Sequence, residues 1–194
     1  MSKLMISLLA AAGIAFAGAA NAADKTMSRD AYKAEKDKIE AQYKADKDQC
    51  KSMSGNQKDV CQAEAKGKEK VAKAELEANY KNTDKARYDA RVAKADADYD
   101  VAKEKCDDLS GNQKDVCVKQ AKAAHTKAKG DAKVARADTN ASKNAQEKRA
   151  EARQDAREDT RDAQYKVAVE KCDSMSGAAK DRCVKDAKAH YGKS

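Results

Sequence analysis

The 194-residue chain contains no proline and no tryptophan, and its only phenylalanine is Phe16. Without proline, nothing in the chain forces a helix to stop or kink. Large apolar side chains are almost as scarce. Beyond residue 22 the large aliphatics are Ile39, Leu76, Leu109 and ten valines, 13 of 172 residues. That is too few to bury an ordinary globular core. Two outcomes remain, disorder or long thin helices that need little core. The abundance of Ala, Lys, Glu and Arg, all strong helix formers, favours helices. Catalytic patterns are missing too. There is no HExxH, no Gly-rich phosphate loop, and no nucleophile placed beside a base. The carboxylates sit among Lys and Arg, which hold them ionised rather than poised for proton transfer. With so little apolar material, a water-excluding pocket is hard to build. The chain is read as non-enzymatic and without a cofactor.

What the chain does have is one cysteine spacing used three times. Cys50 and Cys61, Cys106 and Cys117, and Cys172 and Cys183 each enclose ten residues, and no cysteine is left over. The enclosed segments, KSMSGNQKDV, DDLSGNQKDV and DSMSGAAKDR, are near copies. The repeat extends upstream. Tyr43, Tyr99 and Tyr165 each lie seven residues before the first cysteine; Tyr32 and Tyr88 lie eighteen before it, where the third unit has Gln154. Tyr32, Ile39, Tyr43 and Cys50 fall within about 20° of one line on a helix, and Tyr88, Ala95, Tyr99 and Cys106 repeat the pattern. These tyrosines are read as helix-packing residues rather than a ligand surface. After the second cysteine the stripe continues on Ala121, Ala124, Ala128, Ala132 and Ala135. Such a narrow seam suits two closely approaching helices.

Each cysteine pair is symmetric about a Gly and the residue after it. An antiparallel hairpin would bring the two sulfurs together, whereas a continuous helix would hold them about 16 Å apart. Disulfides Cys50–Cys61, Cys106–Cys117 and Cys172–Cys183 are therefore expected at three helix tips. Gly55, Gly111 and Gly177 are the turn residues, able to take the left-handed conformation that ends a helix. Ser54-Gly-Asn-Gln57 and Ser110-Gly-Asn-Gln113 also match a capping box, and Ala179 in place of Gln predicts a weaker third cap. Ser28 is the candidate N-cap of the first helix. Weak helix points fall at Asn82-Thr83-Asp84 and between Thr139 and Asn144. The chain is then three linked hairpins, or four helices with two long central ones. The expected fold is all-α: elongated, coiled-coil-like antiparallel helical hairpins. The units are residues 23–82, 83–139 and 140–194, after a leader at 1–22.

That leader reads as a signal peptide. Lys3 precedes an apolar stretch from Leu4 to Ala17, and Ala20-Asn21-Ala22 gives a small-x-small site, placing cleavage between Ala22 and Ala23. No second apolar segment follows, so no stable membrane span is expected after cleavage, and the mature chain is expected to be soluble. The expected location is the periplasm, or outside the cell, where paired cysteines oxidise. Removing Lys3 leaves 40 Lys/Arg against 33 Asp/Glu. That modest excess suits a solvated helix surface first, with a polyanion partner such as lipopolysaccharide or nucleic acid as the alternative. Glu147 to Arg161 alternates in sign and gives no long basic face. A third possibility is metal binding or redox-stress chemistry through the cysteines, His125 and His190. Against it stand the long cysteine gaps, since zinc sites use C-x₂₋₄-C and redox pairs use C-x-x-C.

The stretch Ala63-Glu-Ala-Lys-Gly-Lys-Glu-Lys-Val-Ala-Lys-Ala-Glu75 resembles the helical periplasmic spacer of the TolA envelope family. The likeness lies in composition. The cleavable leader and the Cys-x₁₀-Cys units depart from that family, and no globular C-terminal domain is evident. The mature chain as a whole is similar to small exported Ala/Lys-rich proteins. The resemblance implies an envelope role and supplies no functional residues. The expected function is a spacer or binding surface, with an envelope protein or a second copy of the chain as partner.

Closing a twelve-residue loop contributes about 3 kcal/mol in the chain-entropy model. Three such loops approach the whole stability of a typical domain, about 5–15 kcal/mol. Reductant is therefore expected to loosen or melt the hairpins. Circular dichroism melting with and without reductant checks this, and an unchanged transition would exclude it.

Overall fold

The computed structural model describes residues 27–139 and 145–193. The expected leader, with the cleavage expected between Ala22 and Ala23, lies outside these residues, as does the expected weak point from Asn140 to Asn144. The described residues form six helices: α1 (Arg29–Gln49), α2 (Gly55–Lys81), α3 (Asp84–Cys106), α4 (Gly111–Asp138), α5 (Ala145–Cys172) and α6 (Gly177–Tyr191). A short 3₁₀ turn, Cys50–Ser52, follows α1. Among the described residues each helix packs only on its neighbours in the chain. The result is one layer of antiparallel helices, and the all-α hairpin architecture is as the spacing implied. The alternative of two long central helices is not the one adopted. Asn82 takes a left-handed conformation (φ 48°) that stops α2, and the Thr83 hydroxyl accepts from the Ala86 amide to start α3. Ser28 caps α1 in the same way, through the Ala31 amide at 3.1 Å.

Three disulfides close the tips. Cys50–Cys61, Cys106–Cys117 and Cys172–Cys183 have Cα–Cα distances of 5.6, 5.7 and 5.7 Å, within the range an unforced bridge needs. Because consecutive helices alternate in direction, all three tips lie at the same end of the layer. The breaks at 82–84 and 139 meet at the other end, where Asp84 is hydrogen-bonded to Thr139.

The turn geometry differs from the capping box read in the sequence. Gly55, Gly111 and Gly177 do take positive φ, 55°, 54° and 54°. Each opens the following helix, however, rather than closing the preceding one. The chain passes from an extended serine through the left-handed glycine into the helix. None of Ser54, Ser110 and Ser176 makes a side-chain cap. The left-handed step separates the serine hydroxyl from the amides it would have to reach. The Gln-to-Ala change at 179 therefore weakens no cap, since there is none to weaken.

The residue that matters in that motif is the asparagine. Asn112 Nδ2 donates to the Glu170 carbonyl at 2.8 Å, so the start of α4 is tied to the last turn of α5, in the next hairpin, at a carbonyl that also accepts from the Asp173 amide at 3.1 Å. Asn56 occupies the same place in the first unit, with its Nδ2 buried and no hydrogen bond formed. The third unit has Ala178 there, in α6, the last of the described helices.

Two kinds of seam alternate across the layer. Within hairpins, the disulfide is joined by aromatic pairs. Tyr32 meets Tyr80 at 4.5 Å between ring centroids, Tyr99 stacks on His125 at 5.0 Å, and Tyr165 meets Tyr191 at 6.2 Å. Between hairpins, the seams are alanine and glycine. Ala65, Leu76 and Ala78 of α2 and Ala86, Ala90, Ala93 and Ala97 of α3 are buried. A Cβ added to Gly67 would stand 3.1 Å from Ala97 Cβ, and one added to Gly130 would stand 2.9 Å from Ala156 Cβ. A glycine in a helix costs about 1 kcal/mol relative to alanine. Here it lets α2 approach α3, and α4 approach α5, closely enough for backbone-level contact.

Asn112→Ala removes one inter-hairpin bond and should lower stability by about 0.5–1.5 kcal/mol. Ala178→Asn, on a helix that packs only on α5 among the described residues, should leave it unchanged. Denaturant midpoints of the two variants give the comparison; equal effects would show that the asparagine acts only within its own turn.

Candidate interaction surfaces

The tyrosines and Ile39 singled out in the sequence are all half-buried. Tyr32 donates its hydroxyl to Glu77 Oε2 at 2.8 Å. That bond raises the Tyr32 pKa, with burial and the Glu77 charge adding to it. Glu77 is pulled below the usual carboxylate range, first by Lys81 and then by Tyr32. Tyr88 lies under the Arg136 guanidinium, 5.2 Å from ring centroid to cation. Tyr43 faces Lys47 of its own helix at 6.0 Å. The alanine stripe on α4 is only partly realised. Ala132 is buried and Ala124 is exposed, because the seam with α5 runs through Gly130.

His125 does not stand free. Its Nε2 lies 2.7 Å from Asp96 Oδ1, and Lys70 Nζ lies 3.2 Å from Asp96 Oδ2. Asp96 on α3 therefore ties α2 to α4, bridging its two neighbours. Burial pushes the Asp96 carboxyl up, but the bonds from His125 and Lys70 outweigh it, and the net shift is downward. His190 packs edge-on against Tyr191. All six cysteines are in disulfides. Among the described residues, no cluster of three or more His, Cys, Asp or Glu side chains is placed to hold a metal ion. No described helix is long and apolar enough to cross a membrane.

Three surfaces stand out among several on the layer. The first is the row of tips. Met53, Leu109 and Met175 are the exposed large hydrophobics of the described residues, at 41%, 40% and 47% exposure. Each stands three residues after the first cysteine of its unit, so the three line one edge of the layer. The second is a groove of about 610 Å³ between α2 and α3. Its floor is Gly67, Val71, Ala97 and Val101, and its rim charges balance. The third is a groove of about 420 Å³ between α4 and α5, whose lining includes five lysines beside Asp159 and Asp162. Elsewhere the exposed faces carry i,i+4 pairs such as Lys85–Asp89 and Lys127–Asp131, each worth a few tenths of a kcal/mol.

Comparison with protein-family models, with curated proteins and with solved structures returns no match.

The depressed Asp96 pKa sets a pH window. A carboxyl whose folded pKa is lowered adds stability above its unfolded pKa, near 4, and loses that contribution as pH falls through the folded value. Wild type should therefore lose more stability between neutral pH and about pH 3 than Asp96→Asn does. Thermal melts at the two pH values measure the difference. A parallel decline in both proteins would show that the α2–α3–α4 bridge contributes nothing.

Proposed function

We propose that this chain is a non-enzymatic interaction scaffold of the cell envelope, acting in the periplasm or another oxidising compartment. Its stapled hairpins hold three apolar tips in a line. The observation that carries this reading is the row of Met53, Leu109 and Met175. A chain so short of large apolar residues leaves these three in water, at the same position of three repeated turns. Exposed apolar groups held on a rigid frame mark contact sites. Covalent closure of each tip fits the role, because a tip that frays could not present a side chain in a fixed place. Pairing of all six cysteines supports the oxidising compartment. The layer itself serves as the spacer, and α4 and α5 span about 42 Å each.

The test replaces the three tip residues together: Met53→Ser, Leu109→Ser and Met175→Ser. Wild-type protein is expected to crosslink to an envelope component in cells. The triple variant should lose that adduct while keeping its melting temperature. An undiminished adduct would place the contact elsewhere on the layer.

A further inference from the structure

The charge excess of the chain is not spread evenly over its helices. Helices α1, α3 and α5 each balance their Lys/Arg with Asp/Glu, while α4 carries seven Lys/Arg against three Asp. Four of those basic residues, Lys119, Lys122, Lys129 and Lys133, fall within an arc of about 80° and a length of about 21 Å. All four line the groove between α4 and α5, where Lys166 of α5 joins them. Two of the five are partly neutralised. Lys119 lies 3.5 Å from Glu170, and Lys133 lies 3.9 Å from Asp159. Asp162, also on the groove, is paired with Lys193, which lowers its pKa. Lys122 and Lys129 have no ion pair among the described residues.

We propose that this groove binds a linear polyphosphate chain. A row of primary amines along a straight groove matches phosphates along an unbranched polymer. Lysine suits that role as a point charge that asks for no bidentate geometry. The groove offers nothing that reads a base. It is lined by no Tyr, Phe or Trp, and its one ring, His125, is stacked on Tyr99 and bonded to Asp96. Single-stranded nucleic acid normally needs free aromatic faces for its bases. A planar lipid surface is also a poor match, since Gly130 at the groove floor is buried. This goes beyond the scaffold reading and does not depend on it, because the tips and the groove share no residue.

Binding of inorganic polyphosphate to the full mature chain, read by isothermal titration over a salt series, tests the proposal. Oligo-dT and phosphatidylglycerol vesicles serve as the other arms. Polyphosphate is expected to bind tightest, with affinity falling steeply as salt rises. Lys122→Glu with Lys129→Glu should weaken binding at least tenfold and flatten the salt dependence by about 1.4 in the log–log slope. Lys38→Glu with Lys85→Glu, on exposed parts of α1 and α3, should change affinity by less than twofold beyond the shift in overall charge. Lys122→Gln with Lys129→Gln repeats the test if the charge reversal disturbs folding. The proposal is overturned if the control pair weakens binding as much as the groove pair. It is also overturned if oligo-dT or vesicles bind better than polyphosphate, or if nothing binds at low salt.

Discussion

Everything in this molecule depends on the disulfide at each helix tip. A helix pair with so few large side chains has little to fix one helix against the other in rotation or register. The bridge does both. It pins two residues eleven apart in sequence to a Cα separation near 5.7 Å. Once those points coincide, the register of the whole hairpin follows. Tyr99 then meets His125 and Tyr165 meets Tyr191, in each case a residue seven before the first cysteine against one eight after the second. The aromatic pairs are consequences of the staple before they are contributors to stability.

Stapled hairpins still have to be joined, and there the chemistry changes. The seams between hairpins are built from alanine, glycine and one leucine, so they gain by closeness rather than by area. Gly67 with Ala97 and Gly130 with Ala156 keep the same register relative to the cysteines, one heptad apart. Dispersion falls off steeply with distance, so contact at this range returns much for few atoms. The same closeness makes the seams intolerant. A single methyl at Gly130 has no room without moving a helix. Rim ion pairs such as Lys105–Glu64 at 3.0 Å are solvent-exposed and add little by comparison.

The hairpins and their disulfides were legible in the sequence because covalent geometry leaves few solutions to a ten-residue gap. Helix content followed from composition, and the break at Asn82-Thr83 from residues that favour caps. The inter-hairpin seams were not legible, although a signal existed. Two mid-helix glycines in an otherwise strong helix-forming chain mark close approach, and Gly67 and Gly130 are the two within long helices. The geometry of the serine turn stayed open in the sequence because one motif fitted two local geometries, and only the backbone decides between them. The role of Asn112 went unnoticed for a related reason: its partner lies in the next hairpin, 58 residues away. The basic groove was hidden by averaging. Summed over the chain the charge is modest, and only the packing of α4 against α5 shows where it collects.

The outer faces of α1 and α6 differ in kind from the faces that pack between hairpins. Position for position, Ala86 and Ala93, which α3 buries against α2, are Asp30 and Asp37 in α1. At the other end, Asn112 and Val116 of α4 become Ala178 and Arg182 in α6. A fourth hairpin added before α1 would bury two carboxylates in an alanine seam. One added after α6 would meet an arginine and find no asparagine to hold it. Burying an unpaired charge costs several kcal/mol, more than an Ala/Gly seam returns. Repeat arrays need polar outer faces at their termini for this reason. Substitutions that would look neutral within any one unit thus make the outer faces of α1 and α6 poor partners for another alanine seam. They also leave the tip edge and the two broad faces of the layer as the surfaces open to a partner.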